Sequence, residues 1–329
     1  MTALLEVKNL NVHIPVPGGS LHAVRDVSLA VAPGRTLCVV GESGCGKSMT
    51  MLSIIGLLPP QARMQADMLR FGELHLDRLT AGQLADVRGL RIGMIFQDPL
   101  TAFNPTMTIG RQLEEVHLRH LHGGRRVARE KALQLLARVG ITSPESRLAQ
   151  YPHELSGGLR QRAMIAMALM CDPVLLLADE PTTALDVTIQ AQVLRLLKSL
   201  QASLGIATIF ITHDLGVVAA MADDIAVMYA GQVVETGSVR EVFARPRHPY
   251  TQALFSCVPR VDTGGQALGT IPGRVPALTS RIEGCAFRER CTQAQAGCAS
   301  GAIALRPTSG GGSSRCLLDP LPQGEAHAH

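Results

Sequence analysis

Residues 4 to 40 carry a strand-like pattern of apolar and polar positions, with turn signals at Pro15 to Ser20 and at Pro33-Gly34. Leu37 to Val40 is a short apolar run and predicts a buried strand. Met49 to Leu58, apolar and free of proline until Pro59-Pro60, predicts a helix. Residues 66 to 97 are mixed, with a strand at Ile92 to Phe96, and Asp98 to Pro105 reads as a polar, proline-containing loop. Residues 109 to 139 are helical in pattern and broken at Gly123-Gly124; a helix follows from about Arg160 to Cys171. Val174 to Ala178 predicts a fully buried parallel strand. A helix over Val187 to Leu204 and a second buried strand over Ala207 to Thr212 come next. Ile225 to Tyr229 and Gln232 to Thr236, joined through Ala230-Gly231, predict a β-hairpin. Buried strands alternating with helices give an α/β class with a parallel, helix-covered sheet, whose ligands bind at the carboxyl ends of the strands.

The texture changes from Ala244 onward. Pro246, Pro249, Pro259, Pro272 and Pro276 interrupt every run, Ser309 to Ser314 reads as a Gly/Ser linker, and Glu325 to His329 as a disordered tail. A small loop-rich domain is expected at about 245–329, after a first domain at 1–244.

Composition narrows the classes. The 329 residues suffice for about two domains, and 46% hydrophobic content supports a sizeable core. With no Trp, three Tyr and seven Phe, the chain lacks the aromatic platforms of a single-strand nucleic-acid binder. The formal charge of +4 neither demands nor excludes an acidic partner. The basic turn Arg125 to Arg129 is most simply a solvated helix face. Met1 to Asn11 has no signal-peptide pattern, and the apolar run Ala163 to Cys171 is too short to cross a bilayer. A soluble, cytoplasmic chain is expected, with any membrane role supplied by partners.

The chemistry concentrates at Gly41-Glu42-Ser43-Gly44-Cys45-Gly46-Lys47-Ser48, spaced G-x-x-x-x-G-K-S between the predicted strand and the helix that begins at Met49. The glycines let backbone N–H groups turn inward, and the helix start adds unpaired donors. Lys47 would reach the outer phosphates of a nucleotide and the Ser48 hydroxyl would hold Mg²⁺. Asp179, closing an all-apolar strand, suits the same metal. Glu180 is placed to act as general base on an attacking water. Gln97 ends a strand and could contact metal and water, or be an ordinary polar cap. His213, at another strand end, could sense the γ-phosphate or be a satisfied strand-end histidine.

In order, these stretches resemble the motifs of an ABC-transporter ATPase: the phosphate loop, Gln97, Leu155-Ser156-Gly157-Gly158, Leu177-Ala178-Asp179-Glu180-Pro181, Ala184-Leu185-Asp186 and His213. The resemblance implies a P-loop fold with a RecA-like parallel sheet, an antiparallel β-subdomain and a helical subdomain at about 98–172. It implies ATP bound by Gly41 through Ser48 and Met49, with Mg²⁺ on Ser48, Gln97 and Asp179. Two such chains would pack head to tail, so that Ser156, Gly157 and Gly158 meet the γ-phosphate of the partner's ATP and Asp186 lies in the D-loop. Phe96 to Thr101, Asn104-Pro105, Met228 to Gly231, Arg247 to Thr251 and Gly284 to Phe287 with Arg290-Cys291 resemble the dipeptide/oligopeptide/nickel importer branch. That implies a second ATPase subunit, identical or a paralogue, two transmembrane permease subunits and an extracytoplasmic solute-binding protein. It places the chain peripherally on the cytoplasmic face of the membrane, with no nucleic-acid partner.

Cys285, Cys291, Cys298 and Cys316 have gaps of five, six and seventeen residues, which fit neither a CxxC zinc ribbon nor a ferredoxin run. The resemblance implies a [4Fe–4S] cluster there; zinc and unligated thiols are the alternatives. Two departures stand out. Leu159 follows the Ser-Gly-Gly where many members have Gln, and Ile14 lies where an aromatic ring would stack on adenine, leaving His13 as a substitute. A non-transport ABC protein is disfavoured by the single phosphate loop and by the 108 positions between Ser48 and Ser156, which leave no room for a long insert. An Fe–S redox sensor with a vestigial ATPase is disfavoured by the intact Glu180 and His213.

Overall fold

The computed structural model describes residues 3–183, 185–257, 270–280, 282–309 and 311–318. Ala184 of the D-loop, Pro259 and the tail from Glu325 to His329 lie outside the described residues. The strands in chain order are β1 (Leu5–Val16), β2 (Gly19–Val31), β3 (Thr36–Val40), β4 (Arg63–Gln65), β5 (Met68–Phe71), β6 (Leu74–His75), β7 (Ile92–Ile95), β8 (Leu175–Asp179), β9 (Ala207–Ile211), β10 (Asp224–Tyr229), β11 (Gln232–Ser238), β12 (Arg306–Pro307) and β13 (Ser313–Ser314).

The main sheet has eight strands in the order β12-β13-β11-β10-β3-β9-β8-β7. Its centre, from β10 to β7, is parallel. Every residue of β3, β8 and β9 is buried. Strand alternation sends their side chains into two cores. Cys38, Val40, Leu176, Ala178 and Phe210 face one, and Leu37, Val39, Leu175, Leu177, Ile209 and Ile211 face the other. Covered faces on both sides explain why these strands read as unbroken apolar runs.

β1, β2, β4, β5 and β6 form a separate antiparallel sheet over the second core. Helices Ile109–His120, Gly124–Arg138 and Gly157–Ala168 contribute Leu113, Leu135, Leu136, Met164 and Ile165 to the first. The RecA-like sheet, antiparallel sheet and helical block are therefore all present. The β10–β11 turn places Ala230 and Gly231 at φ of 46° and 81°, the paired positive angles of a tight hairpin whose twist matches its strands. No helix among the described residues is long and apolar enough to cross a membrane.

Several local expectations are corrected. The loop after Gln97 contains a helical turn, Pro99–Ala102, because Pro99 sits in its first turn and the Asp98 carboxylate accepts the Leu100 N–H at 2.8 Å. The helix after Leu155 starts at Gly157, ahead of Arg160, because Ser156 caps it. Pro249–Ser256 is helical, with the His248 ring accepting the Tyr250 N–H at 3.0 Å. The Gly/Ser stretch is not a linker where it is described. Ser313 and Ser314 pair with Thr236 and Glu235 of β11, and a Cβ on Gly312 would overlap the Thr236 carbonyl oxygen. Ile271, Val275, Leu278, Ile282 and Phe287 pack on the same core as the helical block, so these C-terminal residues share the core of the preceding fold.

Candidate active site

The parallel strands end in register. Val40 pairs with Val227, Ala178 with Ile95, and Asp179 with Ile211. Gly41, Gln97, Glu180 and His213 thus leave one edge of the sheet, where a doubly covered sheet presents its ligand site.

The loop at Gly41 to Ser48 curls tightly. Gly44 and Gly46 have φ of 76° and 99°, which favour glycine. A Cβ on Gly41 would overlap the Met228 carbonyl oxygen, and one on Gly46 the Ala23 carbonyl oxygen, so both glycines are required by close approach. Gly46 precedes the helix Lys47–Ile54 without a side-chain cap, which leaves its first N–H groups for an anion. Lys47 is buried, and its Nζ donates to the carbonyls of Gly41 at 2.9 Å and Glu42 at 3.0 Å.

Ser48 Oγ donates to Asp179 Oδ1 at 3.0 Å, so the two expected metal ligands already meet. Burial, together with the adjacent Glu180 charge, lifts the Asp179 carboxyl above its ordinary range, against the opposing pull of the Ser48 hydroxyl and Lys47. Glu180 holds φ of 44°, unusual for a side-chain-bearing residue and a sign of local strain. Its Oε2 accepts from Thr183 Oγ1 at 2.8 Å and lies 3.4 Å from His213 Nδ1. Gln97 is exposed just past β7.

Ser156 and Gly157 are exposed. Ser156 Oγ accepts the Leu159 N–H at 3.4 Å, and among the described residues no hydrogen bond joins Ser156, Gly157 or Gly158 to residues 41–48. Asp186 is likewise exposed and caps the helix Val187–Leu204 by accepting the Ile189 N–H at 2.9 Å.

Residues 24–183 match the family described as ABC transporter, and residues 234–298 the oligopeptide/dipeptide transporter C-terminal region. Over 292 residues the chain is 51% identical to the dipeptide transport ATP-binding protein DppD of Bacillus subtilis, covering 88% of this chain and 87% of that one. The chain belongs to the ABC-transporter ATPases. This ABC ATPase is also 50% identical over 296 residues to the oligopeptide transport ATP-binding protein OppD of the same organism, covering 89% and 83% of the two chains. Among solved structures it resembles the dimeric bacterial ABC transporter cassette MJ0796 with a TM-score of 0.64 and 26% identity, over 72% of this chain and 99% of that one. The match to the same cassette in a post-hydrolysis state with ADP and Pi has a TM-score of 0.62 and 27% identity, again over 72% and 99%.

Sequence reasoning missed two residues of the ABC ATPase site. Tyr250 Oη accepts the Glu42 N–H at 3.0 Å, and Arg290 Nη1 lies 3.0 Å from both Glu42 carboxylate oxygens. Both stand in stretches that mark the importer branch, but their link to the phosphate loop has no local signal, since they lie 208 and 248 positions from Glu42.

The adenine departure also takes shape. Ile14 is half-buried against the second core, and the His13 ring stacks on His22 at 3.9 Å. Burial, aided by the neighbouring His13 and Arg25 charges, pushes His22 down to about 4, which keeps its ring neutral at physiological pH.

Cys285, Cys291, Cys298 and Cys316 converge on one cavity, lined also by His248 and Phe287. Its volume is ≈ 10 Å³, room for about one water. Burial pushes the Cys285 thiol up to about 11 and raises Cys291 as well. Among the described residues no group of three or more His, Cys, Asp or Glu is arranged to hold a metal ion. The donor set suits a cluster in kind, and its spacing in this structure does not support one.

Proposed function

We propose that this ABC ATPase hydrolyses ATP to drive import of dipeptides, oligopeptides or related small solutes through partner membrane subunits. The observation that carries the reading is the meeting, at one sheet edge, of a phosphate cradle, the Ser48–Asp179 contact and the Glu180–His213 contact. In this reading Lys47 leaves the Gly41 and Glu42 carbonyls and turns to the outer phosphates, while the N–H groups of Gly41 through Met49 hold the rest. Ser48, Asp179 and Gln97 would hold Mg²⁺, which would supply charge neutralisation to the phosphates. Glu180 takes the proton of the attacking water, its carboxylate oriented by Thr183 and His213. His213 senses the γ-phosphate.

Ser156, Gly157 and Gly158 act on the ATP of a second ATPase subunit, identical or paralogous, and Asp186 lies at the same junction. The exposure of Ser156, Gly157 and Asp186, and the lack of hydrogen bonds from Ser156, Gly157 and Gly158 to this chain's own phosphate loop among the described residues, support that arrangement. Two transmembrane permease subunits complete the machine. A groove of ≈ 720 Å³ lined by Arg88, Asn104, Met107, Gln112, Arg119 and His120 supports their docking beside the segment that follows Gln97. The chain then sits peripherally on the cytoplasmic face, and an extracytoplasmic solute-binding protein selects the cargo. His13, stacked on neutral His22, stands in for the missing adenine platform.

The finer reading puts a [4Fe–4S] cluster, or else zinc, on Cys285, Cys291, Cys298 and Cys316. The kind of donors lining one cavity is what speaks for it, and it requires the four thiols to move closer to a ligating arrangement than they stand here. No step of ATP hydrolysis runs through these thiols. Iron and acid-labile sulfide in anaerobically purified protein would carry the cluster reading; zinc, or no metal, would remove it.

ATP turnover by the chain assembled with its membrane partners, and its co-sedimentation with them, test the function. A chain that consumes no nucleotide in that assembly, or never enters the membrane fraction, overturns it.

A further inference from the structure

The C-terminal segment reaches into the nucleotide site at one point. Arg290 Nη1 lies 3.0 Å from both carboxylate oxygens of Glu42, the second residue of the phosphate loop. The rest of the guanidinium is also engaged. Its Nε donates to the Pro272 carbonyl at 2.9 Å and its Nη2 to the Ile271 carbonyl at 3.0 Å. The planar group lies 5.7 Å from the Tyr229 ring centre and 5.9 Å from that of Phe287. The Arg290 side chain is only 6% exposed, and that of Glu42 26%. Tyr250, fully buried against Tyr229 and Phe287, takes the Glu42 backbone N–H on its hydroxyl.

Glu42 is thereby held by both its side chain and its backbone, and both anchors come from beyond residue 245. A rigid fork with several donors makes this possible; a lysine could not serve Glu42, Ile271 and Pro272 together. The opposite side of the same stretch faces Lys47, which bonds the Glu42 carbonyl. A loop that must present its N–H groups to phosphate is therefore braced from outside the ATP-binding fold.

We infer that Arg290 is a positioning residue for ATP: through Glu42, and with Tyr250, it fixes the start of the phosphate loop, so the C-terminal segment forms a working part of the nucleotide site. This rests on the proposed ATPase reading.

The test uses the full chain with its partners and compares Arg290→Met, Arg290→Lys, Glu42→Gln and the Arg290→Met/Glu42→Gln double variant. The readouts are KM and kcat for ATP, nucleotide affinity and the thermal midpoint. Arg290→Met should raise KM about tenfold or more, the scale of a lost charge-assisted hydrogen bond. Its kcat should change much less. Arg290→Lys should recover part of the loss, Glu42→Gln should act in the same direction, and the double variant should be no worse than Arg290→Met. A folded Arg290→Met with unaltered KM, a fall in thermal midpoint alone, or additive losses would overturn the inference. Should Arg290→Met fail to fold, Glu42→Gln decides it by the same split, an unaltered KM being the adverse result. Wild type without ATP turnover would instead remove the underlying ATPase reading.

Discussion

Glu180 offers the sharpest test of the proposed chemistry, because base and backbone strain can be separated at one residue. Glu180→Gln keeps the size of the side chain and can still accept from Thr183 Oγ1, now at 2.8 Å, but it cannot take a proton from water. General-base catalysis contributes roughly 10²–10⁴-fold, about 3–5 kcal/mol of barrier. Steady-state phosphate release should fall by at least about 10², while ATP affinity stays close to wild type. Glu180→Gly asks a different question. The φ of 44° costs a non-glycine residue roughly 1–2 kcal/mol. The glycine returns roughly 0.5–1 kcal/mol of that through the entropy of its unfolded chain. The lost Thr183 hydrogen bond takes back about 0.5–1.5 kcal/mol, so the thermal midpoint should stay within about 2 °C of wild type with hydrolysis lost. Calorimetry and phosphate release on the three proteins decide the matter. Glu180→Gln hydrolysing within a few-fold of wild type would refute the base, and a Glu180→Gly midpoint several degrees lower would refute the strain.

The other expectations follow from neighbouring contacts. Lys47→Ala should abolish nucleotide binding in an equilibrium assay; retained affinity would refute the cradle. Asp179→Asn should lose Mg²⁺-dependent turnover and, without nucleotide, unfold at a higher temperature than wild type at neutral pH. The sign follows from the raised carboxyl: ionised Asp179 penalises the fold above its folded-state value, and the penalty fades as pH falls from there to the ordinary value of about 4. The stability gap should therefore close on acidification, and a gap independent of pH would contradict this. Gly312→Ala should destabilise the chain by about 1–3 kcal/mol in denaturant titration, since its Cβ would overlap the Thr236 carbonyl oxygen.

The parts visible in the sequence are those whose cause is local. β3, β8 and β9 are buried on both faces, so their apolar runs announce them, and the phosphate loop is defined by glycine and lysine spacing alone. The Ala230-Gly231 hairpin carries its own turn signal. Boundaries shifted where caps decide them: Ser156 moves a helix start to Gly157, and Asp98 folds a turn inside an apparent loop. What stayed hidden depends on distant partners. Ser313-Ser314 has no strand pattern and becomes a strand only against β11, and Tyr250 and Arg290 meet Glu42 through contacts that no window of sequence contains. The four cysteines line one cavity, but their relative placement is set by packing, and among the described residues they are not arranged to hold a metal ion.

The two-residue pairing of Ser313 and Ser314 with β11 has a practical consequence. It shields part of a border whose backbone donors and acceptors would otherwise be open to another molecule's strand. A chain cut back to the ATP-binding fold would bare that border and the apolar side of the hairpin beneath it. Such a fragment should self-associate even with every nucleotide contact intact, and its clumping would be misread as a failure of the ATP site.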